Sequence, residues 1–206
     1  MSHIFAPQVF RAYDIRGKVV SQITPLLCKT AGRAFGAILR ERTGKESPRI
    51  SVGRDARISG QELERALTEG LLQSRCTVFS IGQTPNPVNY FTVCTQELDG
   101  GVHVTASHNP AEDNGLKLCT ASAHAFSGED IRLLRRRCEE HGSTSPHPNP
   151  CLSGRQALPM GEGIPTLLSP RERIEVRGIK LDDRQQSMEA AYTAFLLERF
   201  RDVGRN

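Results

Sequence analysis

The stretch RISVGRDARISGQELERALTEGLLQSRCTVFSIG, residues 49–82, reads as a strand, a helix and a second strand in succession. Arg49 to Asp55 is a strand that breaks at a polar turn. Ser59 to Glu62, "SGQE", fits a capping box opening a helix to about Ser74. Cys76 to Gly82 is short, β-branched and aromatic, which marks a strand. A unit of this kind, repeated along a chain, belongs to a layered α/β domain.

The same alternation extends in both directions. Upstream, Val9 to Gly17 ("VFRAYDIRG") alternates and ends in Gly, predicting a strand that runs into a turn. Thr24 and Pro25 then open an amphipathic helix in N-cap and N1 style. Its apolar residues Leu27, Ala31, Ala34, Phe35 and Ile38 recur at helical spacing, and Gly44 stops it. Downstream, Pro85 and Pro87 forbid a continuous helix across "QTPNP", so a short helix is placed at Val88 to Cys94. A strand at Gly100 to Thr105, a polar loop and a brief "GLKL" strand follow. "SGEDIRLLRRRCEEH" then makes a helix, with Ser127 and Asp130 in a capping pattern and Ile131, Leu134 and Cys138 on one face. The expected α/β domain covers residues 1–141.

From residue 142 to 170 the sequence is crowded with Pro, Ser and Gly and has no period, as in a linker. Residues 171–206 hold an extended arm, Arg173 to Leu181, and a C-terminal helix. Met188, Tyr192, Phe195, Leu196 and Phe200 lie on one face of that helix. An arm and one helix cannot form a core, so they must pack on the first domain, on a partner or on a continuation.

Composition fits a soluble protein of one full-sized domain with an appendage: 206 residues, 37% hydrophobic, 24% charged, formal charge +4. The six cysteines form no tight framework and read as reduced thiols. "MSHIFAPQVF" has neither a basic n-region nor an apolar h-region, and no run is long enough to span a bilayer, so a cytoplasmic location without membrane partners is expected.

The chemistry concentrates in "GVHVTASHNPAEDNGLKL", residues 101–118. A serine at the end of a strand in an α/β domain stands at the edge where ligands bind. Ser107 is a weak nucleophile until a base, a cation or an attached phosphate changes its chemistry. His108 is its neighbour and Lys117 returns from the far side of the loop, so one could take a proton while the other neutralises phosphate oxygens. Asn109, Asn114 and Gly115 suit sharp turns that aim backbone N–H groups inward. A plain surface connection uses the same turn residues.

"TASHNP" followed by "NGLKL" resembles the active-site serine loop of the α-D-phosphohexomutase superfamily, the phosphoglucomutase and phosphomannomutase enzymes. "FRAYDIRG" (Phe10 to Gly17), "VGRDARISG" (Val52 to Gly60) and "GQTPNP" (Gly82 to Pro87) resemble further motifs of that family, in order, over Val9 to about His141. The resemblance implies a mixed sheet flanked by helices. It implies an isomerase of the intramolecular phosphotransferase type, in which phosphoserine at Ser107 gives its phosphoryl group to a hexose phosphate and takes the other phosphate back from the bisphosphate. It also implies Mg²⁺ bound partly through the phosphate on Ser107. Lys117 is the candidate acid/base or phosphate-neutralising group, and Arg11, Tyr13 and Arg16 are candidate substrate or phosphate contacts.

The family's Asp-rich "DGDxD" metal loop and its later sugar- and phosphate-recognition loops have no counterpart here, and "VRGIKLDD" leading to "AAYTAFLLERF" resembles the start of the second family domain. The chain is therefore expected to be truncated and to lack full mutase turnover by itself. A complementing mutase fragment or partner protein, or a non-catalytic phosphosugar-binding role, is the alternative. Two other classes compete. Cys138, His141, His147 and Cys151 could ligate zinc, though the spacing matches no common zinc finger. Arg132, Arg135, Arg136 and Arg137, with Arg171, Arg173 and Arg177, could contact nucleic acid. The first cluster shares its helix with Glu129, Asp130, Glu139 and Glu140, however, and no aromatic platform accompanies it, so no nucleic-acid partner is expected.

Overall fold

The computed structural model describes residues 4–143 and 181–199. Five strands, β1 (Ile15–Lys18), β2 (Arg49–Arg54), β3 (Thr77–Gln83), β4 (Gly100–Val104) and β5 (Asp113–Thr120), form one sheet in the order β1-β5-β4-β2-β3. β2 pairs in parallel with both β3 and β4, whereas β5 runs antiparallel to β4 and β1 antiparallel to β5. The sheet is mixed, as expected. The helices are α1 (Pro25–Thr43), α2 (Gly60–Gln73), α3 (Asn86–Thr95), α4 (Glu129–Ser143) and α5 (Leu181–Arg199).

The two faces of the sheet can be told apart at consecutive glycines of β4. Gly100 looks at Phe35 and Leu39 of α1, and Gly101 looks at Asn89 and Val93 of α3. On the α1 side, Ile50, Val52, Val102, Val104, Leu116 and Leu118 join the buried faces of α1, α2 and α4 in the main core. Burial of such side chains contributes roughly 1.5–3 kcal/mol each relative to exposure. The α3 side holds a smaller cluster of Val93, Leu98 and Cys119 backed by Phe79 and Tyr90. Phe35 meets Phe126 edge to face at 5.2 Å, which ties the segment before α4 to α1.

Local signals explain most boundaries. Thr24 accepts a hydrogen bond from the Leu27 N–H with Pro25 in the first turn, and Gly44 closes α1 in the left-handed conformation at φ 67°. Ile131, Leu134 and Cys138 are buried on α4 as their spacing predicts. Ser59, however, does not cap α2 through its side chain. Its hydroxyl instead accepts a hydrogen bond from Asn114 Nδ2 at 2.8 Å, so a tertiary partner displaces the local one.

Other expectations need correction. Val9 to Gly17 is not one strand: residues 7–9 form a 3-10 turn, the chain folds back so that Phe10 bridges Ile15, and β1 begins only there. Pro87 lies inside the first turn of α3, where its missing N–H costs nothing, so the helix starts at Asn86 rather than Val88. The "GLKL" strand is the middle of the eight-residue β5, because pairing with β1 and β4 on both sides extends it. α4 continues to Ser143, so Gly142 and Ser143 are helical rather than linker. The rest of the linker, and the arm up to residue 180, lie outside the described residues.

The C-terminal helix packs on this domain, against β3 and α3. Tyr192 and Phe195 meet the ring of Phe91 at 5.4 and 5.5 Å. Phe195 is nevertheless largely exposed, and Phe200 lies outside the described residues. Among the described residues no helix is long and apolar enough to cross a membrane. Five cysteines are described, all as free thiols. Cys94 is exposed, and burial pushes Cys28 and Cys119 up to about 12.

Candidate active site

β2 and β4 run in parallel, so their carboxyl ends open at the same edge of the sheet, the usual location of ligand sites in α/β sheets. Asp55 leaves β2 there and donates its N–H to the Val104 carbonyl at 3.1 Å, while Thr105 N–H reaches the Gly115 carbonyl at 2.9 Å. Between Thr105 and Asp113 the chain makes the polar loop. Ala106 is buried beneath it, and Ser107 and His108 are exposed on top.

Ser107 has φ 56°, a left-handed conformation uncommon for a residue with a Cβ. Strain of that kind persists only where the surroundings over-determine it. Ser107 N–H donates to Thr105 Oγ1 at 2.9 Å, and the Thr105 hydroxyl donates to Asp55 Oδ2 at 2.7 Å. Asp55 also accepts from the Arg57 N–H at 3.0 Å and from Arg57 Nε at 3.1 Å. The terminal nitrogens of Arg57 then enter the loop: Nη2 donates to the carbonyls of Ser107 (3.0 Å) and Asn109 (2.7 Å), and Nη1 to those of Pro110 (2.5 Å) and Asp113 (2.9 Å).

A second set of contacts holds the loop to β1. Arg16 Nη1 donates to Asn109 Oδ1 at 2.8 Å, and Nη2 pairs with Asp14 at 2.5 Å. Asn109 Nδ2 donates to Asp113 Oδ2 at 2.8 Å, and Lys18 Nζ lies 3.0 Å from the other Asp113 oxygen. The Asn109 amide and then Lys18 hold the Asp113 carboxyl below the usual carboxylate range.

Of the residues singled out in the sequence, Ser107 Oγ lies 3.4 Å from His108 Nδ1. Arg16 is turned inward, its side chain only 10% exposed and its terminal nitrogens engaged by Asp14 and Asn109. It supports the loop from behind. Arg11 and Tyr13 are exposed on the segment before β1, and the Arg11 charge reaches Asp113. Lys117 is half-buried on β5 directly across from His103 of β4. His103 is fully buried. Desolvation depresses its pKa to about 4, with Asp55 opposing that shift and Lys117 adding to it.

Sequence reasoning missed Arg57, Asp55 and Thr105, and gave Asn109 only a turn. Asp55 and Arg57 sit inside "VGRDARISG", but nothing within that segment shows that a guanidinium would turn toward a loop fifty residues away.

The described donors do not make a cage for Mg²⁺. The Asp55 and Asp113 carboxylates are both occupied by cations and hydrogen-bond donors. Among the described residues no group of three or more His, Cys, Asp or Glu side chains could hold a metal ion. Cys138, a candidate zinc ligand, is sealed in the main core, and His147 and Cys151 lie outside the described residues. On α4, Arg132, Arg135 and Arg137 pair with Glu129, Glu139 and Glu41 respectively.

Comparison with known proteins agrees with this geometry. Residues 7–144 match the family described as phosphoglucomutase/phosphomannomutase, alpha/beta/alpha domain I. A phosphomannomutase/phosphoglucomutase of Pseudomonas aeruginosa is 39% identical over 137 residues, covering 66% of this chain and 29% of that protein. A phosphoglucosamine mutase of Ligilactobacillus salivarius is 34% identical over 163 residues, covering 79% of this chain and 34% of that protein. The crystal structure of a phosphoglucomutase/phosphomannomutase family protein from Burkholderia thailandensis superposes with a TM-score of 0.62 at 33% identity, over 67% of this chain and 31% of that one. The match thus spans about a third of the length of these relatives. A mixed sheet between helices, with a serine loop at its carboxyl edge and a family match over residues 7–144, places this chain in the phosphoglucomutase/phosphomannomutase family.

Proposed function

We propose that this domain carries a phosphoryl group on Ser107 and exchanges it with a hexose phosphate. The observation that supports this reading most directly is the exposed Ser107 hydroxyl, presented at the sheet edge on a backbone held in the left-handed conformation. The relatives, named as phosphomannomutases, phosphoglucomutases and phosphoglucosamine mutases, support the substrate class.

In the forward step a hydroxyl oxygen of the hexose phosphate attacks the phosphorus of phosphoserine in line. The bond from phosphorus to Ser107 Oγ breaks, and the hexose bisphosphate forms. The sugar hydroxyl proton passes to a base, and the Ser107 oxygen takes up a proton as it leaves. Lys117 and His108 are assigned to these proton movements, His108 because its Nδ1 already stands 3.4 Å from the serine oxygen. In the return step the bisphosphate, bound the other way round, gives its other phosphoryl group back to Ser107. Such transfers depend on positioning and on cations around the moving group. Arg11 and Tyr13 are assigned to substrate, and Arg16, with its terminal nitrogens on Asp14 and Asn109, to holding the loop. Mg²⁺, implied by the resemblance, would add positive charge at the phosphate, with its remaining ligands supplied from outside the described residues.

This chain alone is accordingly assigned the half-reaction on Ser107 and not the full isomerisation, which needs a continuation or a complementing mutase fragment. Incubation with glucose 1,6-bisphosphate tests it. Intact-mass analysis should find one phosphoryl group on the wild-type chain and none on Ser107→Ala. Unmodified wild-type protein would favour the alternative of a non-catalytic phosphosugar-binding or interaction domain. Robust isomerisation by this chain alone, lost in Ser107→Ala, would overturn the restriction to a half-reaction.

A further inference from the structure

We infer that Arg57 is a positioning residue that aims the His108 backbone N–H at the phosphate on Ser107, an inference resting on Ser107 being the phosphate carrier. A guanidinium has five N–H donors. Here Nε serves Asp55 while Nη1 and Nη2 reach four carbonyls, those of Ser107, Asn109, Pro110 and Asp113. The side chain is 12% exposed and its donors are committed to the protein. Arg57 is therefore unavailable as a direct ligand of substrate phosphate. It is instead the centre around which the loop is wound.

The consequence follows from the planarity of the peptide unit. All peptide bonds described are trans, so each C=O and the N–H of the next residue point in opposite directions. Drawing the Ser107 carbonyl in to Arg57 turns the His108 N–H outward, on the exposed side of the loop. Three other amides of the loop are used internally: Ser107 N–H by Thr105 Oγ1, Asn109 N–H by the Ala106 carbonyl and Asp113 N–H by the Pro110 carbonyl. His108 N–H has no partner among the described residues. It belongs to the peptide that follows the phosphate-bearing residue. An outward-facing N–H next to a dianionic phosphate makes a charge-assisted hydrogen bond, and a donor fixed in advance costs no reorganisation during transfer. Ser107 thus combines a left-handed φ with a carbonyl bonded to the guanidinium and an exposed side chain.

Lysine cannot replace this arrangement, because an ammonium offers three donors on a point charge in place of a planar fork of five. The test uses the full chain as wild type, Arg57→Lys and Arg57→Ala. In the wild type, loading Ser107 from glucose 1,6-bisphosphate should move the His108 amide proton downfield in a ¹H–¹⁵N spectrum, and this readout needs no variant. Arg57→Lys should load roughly 10- to 100-fold more slowly, the scale on which small misplacements lower rates, and its His108 amide should not shift. Methylguanidinium added to Arg57→Ala should restore part of the loading rate, which a general loss of stability would not allow. A loaded wild type whose His108 amide stays in place, or an Arg57→Lys protein that loads at the wild-type rate, would overturn the inference.

If the wild type does not load, the Ser107 reading is the part that fails. Arg57 is then judged by hydrogen exchange without ligand. The Ser107, Asn109 and Asp113 amides should exchange at least about tenfold faster in Arg57→Lys than in wild type, the direction expected when a local opening free energy falls. Unchanged exchange would show that Arg57 does not hold the loop.

Discussion

The side-chain carbonyl of Asn109 accepts a hydrogen bond from Arg16 Nη1 at 2.8 Å, joining the serine loop to β1 across 93 residues of sequence. Arg16 also neutralises Asp14, whose side chain is only 12% exposed. Arg16→Ala leaves that carboxylate nearly buried and unpaired, at a cost of about 3 kcal/mol. Asn109→Ala leaves the Arg16–Asp14 pair intact and should cost about 1–2 kcal/mol. Urea denaturation of both single variants and the double variant should give a coupling energy above about 0.5 kcal/mol. Strict additivity would mean that the contact does no energetic work.

His103 makes stability depend on pH. Its folded pKa is about 4 against an ordinary value of 6.5, so between those values the unfolded chain binds the extra proton. Stability from the neutral, buried imidazole is complete above about pH 6.5 and is lost as the pH falls toward 4. Linkage gives a loss of about 2 kcal/mol between pH 7 and pH 5. Denaturant titrations at those two pH values should show that loss in wild type and little of it in His103→Met. A wild type equally stable at both pH values would contradict the burial of a neutral His103.

Helices α1 and α2 approach closely through glycine. A methyl group at Gly70 would run into the Lys29 carbonyl, and one at Gly32 into the Leu67 carbonyl. Backbone cannot yield as a side-chain end can, so Gly70→Ala should destabilise by up to about 3 kcal/mol despite alanine's better helix propensity. The thermal midpoint should fall clearly. A midpoint at or above that of wild type would show that the two helices separate at little cost.

Phe91 is the described aromatic anchor of α5 on α3, through Tyr192 and Phe195. Such pairs contribute about 1 kcal/mol each beyond the area they bury. Phe91→Ala should therefore increase proteolytic cleavage within α5 several-fold, while the exchange protection of β2 and β4 stays as in wild type. Equal cleavage of both proteins would place the docking energy of α5 elsewhere.

Legibility varied with the range of the interaction. The span of α1 could be read because Thr24, Pro25 and Gly44 act on their immediate neighbours. Ser59 misled because its hydroxyl has two possible partners, a nearby amide and the distant Asn114, and the tertiary one prevails. Residues 9–17 alternate as a strand would, yet the fold-back at Phe10 and Ile15 leaves only Ile15–Lys18 against β5. At the site, Ser107, His108 and Lys117 stood out as residue types suited to phosphoryl chemistry. Arg57, Asp55 and Thr105 did not, because their roles exist only once β2 and β4 lie side by side.

The sequence by itself determined the succession of strands and helices, the apolar faces of α1 and α4, and the position of the serine loop, since periodicity, caps and motifs act within a few residues. Only the tertiary structure decided the strand order, the docking of α5 on β3 and α3, and the conformation of the loop. The physical reason is clearest at Arg57. One guanidinium satisfies four carbonyls of a loop fifty residues away, and it is the chain's path through the sheet that brings them within reach.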